Sequence, residues 1–182
     1  EDAHDMRRRI RDHKGLHAED RLEGRDLKLG VGGIREIEFF AQTRQLIAGG
    51  RDPELRARGT RDALARLTAK GWIPADVAQT LAAHYGVLRE AEHRLQMIAD
   101  ARTQTLPTSA GGFDRLARLS GAADTRAWRD GIAGVMAEVH ALTEEFFARR
   151  GGGPSPEAGP EPEIVDRWRH YPALRSGRAQ QI

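Results

Sequence analysis

Between Asp26 and Phe40 the chain gathers Lys28, Arg35, Glu36 and Glu38 around Gly30, Gly32 and Gly33. A lysine and an arginine beside a glycine turn have the chemistry to hold an anion, because both donate charge-assisted hydrogen bonds to phosphate oxygens. Glycine admits positive φ and lets another group come close. Amides at a helix start, with the macrodipole behind them, attract the same ligand. The pattern is not a familiar phosphate fingerprint, however. Arg35 stands where a dinucleotide turn needs glycine, and no Gly-Lys-Ser/Thr follows as in a P-loop. Glu36 and Glu38 would also repel a phosphate set directly on the helix end. The alternative is a tight turn that docks a helix, its charged residues joined in ion pairs between strand and helix.

The elements that must position these residues follow from spacing. Asp26 to Leu29 alternates polar and apolar residues, as a short half-buried strand or an extended lead-in does. Ile34, Ile37, Phe40 and Ala41 then recur at helical spacing up to the stop at Gly49-Gly50. Arg51-Asp52-Pro53 reads as a turn. A helix from Thr60 to Lys70 buries Ala63, Leu64 and Leu67 and ends at Gly71, and Pro74 opens the next. In that helix Val77, Leu81, His84, Leu88, Ala91, Leu95 and Ile98 form an unbroken seam. His84 on the seam reads as a satisfied core histidine. Arg89, Glu90, Glu92, His93 and Arg94 read as a solvated flank. Pro107 ends the helix after Thr103-Gln104-Thr105. Phe113, Leu116 and Leu119 mark a short helix closed by Gly121. Asp124 or Thr125 caps a long one with Trp128, Ile132, Val135, Val139, Leu142 and Phe146 on its seam. Two long helices with regular seams, joined by about twenty residues, imply an antiparallel bundle.

The flanks carry less. Residues 2 to 14 read as a short amphipathic helix rich in arginine, and Leu16 to Arg25 is polar. His13 and His17 sit four apart, but Gly15 between them and the lack of a third ligand favour two solvated histidines. Residues 151–163 are glycine, proline, serine and glutamate apart from Ala158, with no apolar anchor, and read as a flexible linker. Ile164, Val165, Trp168, Tyr171 and Leu174 restart an amphipathic pattern.

Composition excludes several functions. The 182 residues hold 29 basic and 27 acidic side chains, a net charge of +2, which argues against a dedicated nucleic-acid binder. There is no cysteine, hence no disulfide framework and no thiolate metal site. No apolar run approaches a membrane span and no signal peptide opens the chain, so a cytoplasmic location is expected. The first residue is Glu1 with a helical pattern already under way, and the chain reads as an excised piece.

The motif Asp26-Leu-Lys-Leu-Gly-Val-Gly-Gly-Ile-Arg-Glu-Ile-Glu-Phe39 resembles the signature of bifunctional glutamine synthetase adenylyltransferase/adenylyl-removing enzymes. A related pattern belongs to the uridylyltransferases that modify the nitrogen-regulatory PII protein, but Glu-Ile-Glu-Phe favours the former. Leu46 to Pro53, Leu95 to Ile98 and Thr103 to Pro107 match in the same order, so the resemblance spans Met6 to Phe147. Ile34-Arg35-Glu36 is similar to the amino-terminal, adenylyl-removing half.

The resemblance implies a mainly α fold: an antiparallel helical bundle following the short strand and glycine turn that end a nucleotidyltransferase domain. Residues 1–50 would complete that domain, 51–150 form the bundle, 151–163 the linker and 164–182 the start of a further helical region. The implied reaction is phosphorolysis: phosphate attacks the adenylyl group on a tyrosine of glutamine synthetase and releases ADP. The sister half would adenylylate from ATP, with Mg2+ as cofactor and the PII protein as a further partner. The family's Asp-x-Asp metal carboxylates are missing from this sequence and are expected upstream of Glu1, which leaves the chain inactive alone. Lys28 and Arg35 are then phosphate or nucleotide contacts, and Gly30, Gly32 and Gly33 permit close approach. Glu36 and Glu38 orient the cations or join the metal shell, while Thr103 to Pro107 brace the catalytic domain. The rival reading is non-enzymatic, with residues 74–150 a helical module that binds glutamine synthetase or PII.

Overall fold

The computed structural model describes residues 21–99 and 101–148, with side chains through Glu145. The chain divides into two compact units, residues 1–150 and 151–182, and every described residue lies in the first. The expected helix at 2–14, the His13/His17 pair, the linker and the pattern at 164–182 fall outside the described residues, as does the side chain of Phe146.

Five helices order the described part: α1 (Ile34–Ala48), α2 (Thr60–Ala69), α3 (Ala75–Ala99), α4 (Ala110–Leu119) and α5 (Thr125–Ala148). A single 3-10 turn at Pro53–Leu55 stands where a simple turn was expected. Asp52 caps it by accepting from the Glu54 amide at 3.1 Å. Side-chain oxygens also start two of the helices, as sequence predicts for these residue types. Ser109 Oγ accepts from the Gly112 amide at 3.2 Å, and Asp124 Oδ1 from the Ala127 amide at 2.9 Å. Asp124, not Thr125, is therefore the cap of α5.

The helices form a bundle around one continuous core running from Leu22 to Val139. In α1, Ile34, Ile37 and Phe40 are wholly buried, and α2 contributes Leu64 and Leu67. Leu81 and Leu88 of α3 meet Phe113 and Leu116 of α4 in the same core. Helix α5 is turned slightly from its expected seam. Ile132, Met136, Val139 and Thr143 are its buried residues, while Trp128, Val135 and Leu142 are only partly covered.

Two local expectations fail. Among the described residues there is no strand: Asp26 makes an isolated antiparallel bridge to Thr105, and Leu27 to Leu29 is turn. The cause is the Asp26 carboxylate, which accepts from the amides of Lys28 at 2.8 Å and Leu29 at 2.7 Å. A short polar side chain that bonds its own following amides outcompetes an extended ladder. Glu92, expected on a solvated flank, is only 2% exposed. It follows Leu88 by four and precedes Leu95 by three, which puts it on the covered face of α3. His84 is satisfied as expected, with Nε2 lying 2.8 Å from Glu138 Oε2, but it is only partly buried at the edge of the core and its partner is exposed.

Candidate functional site

The glycine turn is built from main-chain bonds that fold the chain back on itself. Gly30 N–H donates to the Asp26 carbonyl and Gly33 N–H to the Gly30 carbonyl, each at 2.9 Å. Across the loop the Arg25 guanidinium donates to the Val31 carbonyl at 2.7 Å. The amides that open α1 are then satisfied by the turn itself. Ile34 donates to Leu27 at 3.0 Å, Arg35 to Lys28 at 2.9 Å and Glu36 to Gly33 at 3.0 Å. These are the donors that a phosphate at a helix N-terminus would use. Here carbonyls hold them.

Two other segments clamp the turn. The polar loop after α3 lies alongside it, the Gln104 carbonyl accepting from the Leu27 amide and the Arg25 carbonyl from the Leu106 amide, both at 2.8 Å. From the other side α5 presses its backbone onto Gly32. That residue has φ +73°, and a Cβ there would lie 1.7 Å from the Met136 carbonyl oxygen. Side chains at Gly30 and Gly33 would likewise strike the carbonyls of Asp26 and Leu27, at 2.3 and 2.7 Å. The close approach these glycines permit is therefore filled by the protein's own main chain.

The charged residues separate into two pairs. Glu36 points inward and is 7% exposed. The Thr143 hydroxyl donates to its Oε2 at 2.9 Å, and His140 Nδ1 lies 3.4 Å from the same oxygen. Glu38 Oε1 lies 3.5 Å from the Tyr85 hydroxyl of α3. The two carboxylates thus tie α1 to α5 and α3 and do not orient the cations. Lys28 is half-buried and Arg35 exposed, and among the described residues neither makes an ion pair. The ion-pair alternative does not form. What remains at the surface of the turn is two uncompensated positive charges on adjacent backbone.

Metal is a different matter. Among the described residues no three of His, Asp and Glu converge as a metal shell requires. The donor set does not fit Mg2+, and Glu36 and Glu38 are engaged elsewhere. Nor is any helix of the described residues long and apolar enough to cross a membrane.

Sequence reasoning missed Thr143, His140 and Met136, which position the turn from more than a hundred residues away. Their only signal was spacing: Met136 and Thr143 share a face with Ile132 and Val139, at i, i+4, i+7 and i+11.

The chain belongs to the family described as GlnD PII-uridylyltransferase, whose model matches residues 4–147. At the level of single proteins it is similar to bifunctional glutamine synthetase adenylyltransferase/adenylyl-removing enzymes. That of Mesorhizobium japonicum is 49% identical over 138 residues, covering 76% of this chain and 14% of the relative. That of Agrobacterium fabrum is 49% identical over 146 residues, 80% of this chain and 15% of the relative. In Brucella suis the identity is 44% over 158 residues, 87% of this chain and 16% of the relative. The chain therefore spans about one seventh of the length of the curated relatives it matches.

Proposed function

We propose that this chain is a positioning part of a nucleotidyltransferase that controls glutamine synthetase by removing AMP from its adenylylated tyrosine. Phosphate is the attacking group and ADP the product. The observation that carries the reading is the pair Lys28 and Arg35, which share one main-chain hydrogen bond and lack carboxylate partners among the described residues. Cations left uncompensated beside a rigid turn suit an incoming phosphate or the adenylyl phosphate, whose charge they neutralise. The names of the similar relatives support the substrate, and the family's description supports the PII protein as a further partner. The amino-terminal, adenylyl-removing half is assigned from Ile34-Arg35-Glu36, and a cytoplasmic setting goes with it.

In this reading Gly30, Gly32 and Gly33 serve the site indirectly, by letting carbonyls and α5 hold the turn rigid. Glu36 and Glu38 are positioning residues through Thr143 and Tyr85. Divalent metal, where the reaction uses it, would activate the phosphate, and its carboxylates would come from outside the described residues. The chain alone is accordingly expected to be inactive.

ADP release from adenylylated glutamine synthetase and phosphate tests the proposal. The full-length protein should release ADP and this chain should not. Lys28→Ala and Arg35→Ala in the full-length protein should each lower the rate. Full activity in both variants would remove these residues from the site.

A further inference from the structure

The flank of α3 that the sequence presents as solvated is one wall of an open groove of about 530 Å3. Tyr85, Arg89 and His93 form one row along the helix, and Gly86, Glu90 and Arg94 form the next. Both rows repeat every four residues, so they share a face. Arg61 of α2 lines the same groove from across the gap. Glu90 is its one acidic lining residue, set against three guanidinium groups.

The guanidiniums are held in different ways. Arg94 reaches Glu90 at 2.5 Å, one turn away on an exposed rim. Arg89 Nη1 donates to Glu92 at 2.5 Å, and its Nη2 lies 3.2 Å from His93 Nε2. Glu92 is buried, which is a costly place for a carboxylate unless a partner is fixed to it. Burial of Glu92 thus anchors Arg89 in one rotamer at the groove wall, so that little ordering remains to be done when a ligand arrives. Arg61 makes no ion pair among the described residues.

Gly86 supplies the second observation. It sits inside a 25-residue helix, where glycine costs about 1 kcal/mol relative to alanine. No neighbour requires it: a Cβ there would meet nothing within 4 Å. The absent side chain keeps the groove floor open beside the Tyr85 ring. A volume of this order suits a small organic ligand, within the roughly 300–1,000 Å3 typical of such sites, and is generous for a bare phosphate.

We infer that the groove between α2 and α3 binds an organic phosphate, its phosphate held by Arg61 and Arg89 and its organic part lying over Gly86 against Tyr85. The Arg61 guanidinium fork can match phosphate oxygens in a pair, Arg89 adds the N–H groups that Glu92 leaves over, and a monoester carries nearly two negative charges to satisfy them.

The test is calorimetric titration of the 182-residue chain with adenosine monophosphate, in low salt and without metal. Saturable binding is expected, weakened about tenfold or more by Arg89→Gln and by Arg61→Gln. Gly86→Leu, which strengthens the helix, should abolish it by filling the floor. The Lys28→Ala/Arg35→Ala double variant should retain a binding event that Arg61→Gln and Arg89→Gln weaken, whatever the glycine turn adds, which separates this groove from that turn. Absence of saturable binding would overturn the inference. So would binding that survives Arg89→Gln but is lost in the Lys28→Ala/Arg35→Ala variant. Inorganic phosphate or citrate binding as tightly as the nucleotide, insensitive to Gly86→Leu, would overturn the organic-phosphate assignment.

Discussion

The amide of Arg35 donates to the carbonyl of Lys28 at 2.9 Å, so the two cations of the turn spring from hydrogen-bonded neighbours although they are separated in sequence. An exposed Arg35 without an ion pair contributes little to folding. Arg35→Ala should therefore leave the urea midpoint of this chain within experimental scatter. In the full-length protein the same change should slow ADP release about 10- to 100-fold, the range for losing a charged hydrogen bond to the reacting phosphate. A parallel fall in stability would show a structural role instead.

Gly32 is the position least able to accept a side chain. Its φ of +73° and the Met136 carbonyl beside it both oppose a Cβ. Gly32→Ala should cost about 2–4 kcal/mol in chemical denaturation, more than an alanine that only strains φ. Gly50, where a Cβ would meet nothing within 4 Å, is the control and should tolerate alanine.

Thr143 is wholly buried and donates to Glu36. Thr143→Val keeps the shape and leaves that carboxylate short of a donor, at a cost of about 1–3 kcal/mol. Thr143→Ser retains the hydroxyl and should recover most of the loss. Equal damage from both would point to the methyl group rather than the hydrogen bond.

Glu23 has its carboxyl held below the ordinary glutamate range, first by a hydrogen bond from its own backbone and then by Arg129. A lowered folded-state pKa contributes stability above the unfolded value of 4.5 and loses it as pH falls through the folded value. Glu23→Gln should thus remove a small part of the stability lost on acidification and leave the alkaline limb unchanged. Lys70 acts in the opposite sense. Glu54 and Asp52 raise its pKa above 10.5, so its contribution is complete below that value and vanishes only as pH rises through the folded pKa.

Much of the bundle was legible in the sequence because its signals are local. Helix α1 runs from Ile34 to Ala48 as its spacing predicts, and Asp124 caps α5 as its residue type predicts. The site was less legible, for three physical reasons. Asp26 looks like part of an alternating strand, but its carboxylate captures two amides of its own chain. Glu36 and Glu38 look like companions of Lys28 and Arg35, yet their partners lie on α5 and α3. The glycines look like room for a ligand and are room for the Asp26, Leu27 and Met136 carbonyls. Each depends on a three-dimensional neighbour that periodicity does not encode.

The bond between Glu36 and Thr143 also sets a clock. The two residues are 107 positions apart. A ribosome adding about 5–20 residues per second needs roughly 5–20 s to travel from the first to the second. Throughout that interval the nascent turn lacks the hydroxyl that holds Glu36 and the α5 backbone that covers Gly32. The turn that carries the cations is thus translated before the helix that clamps it, and is held in full only after nearly all of the described bundle has been made.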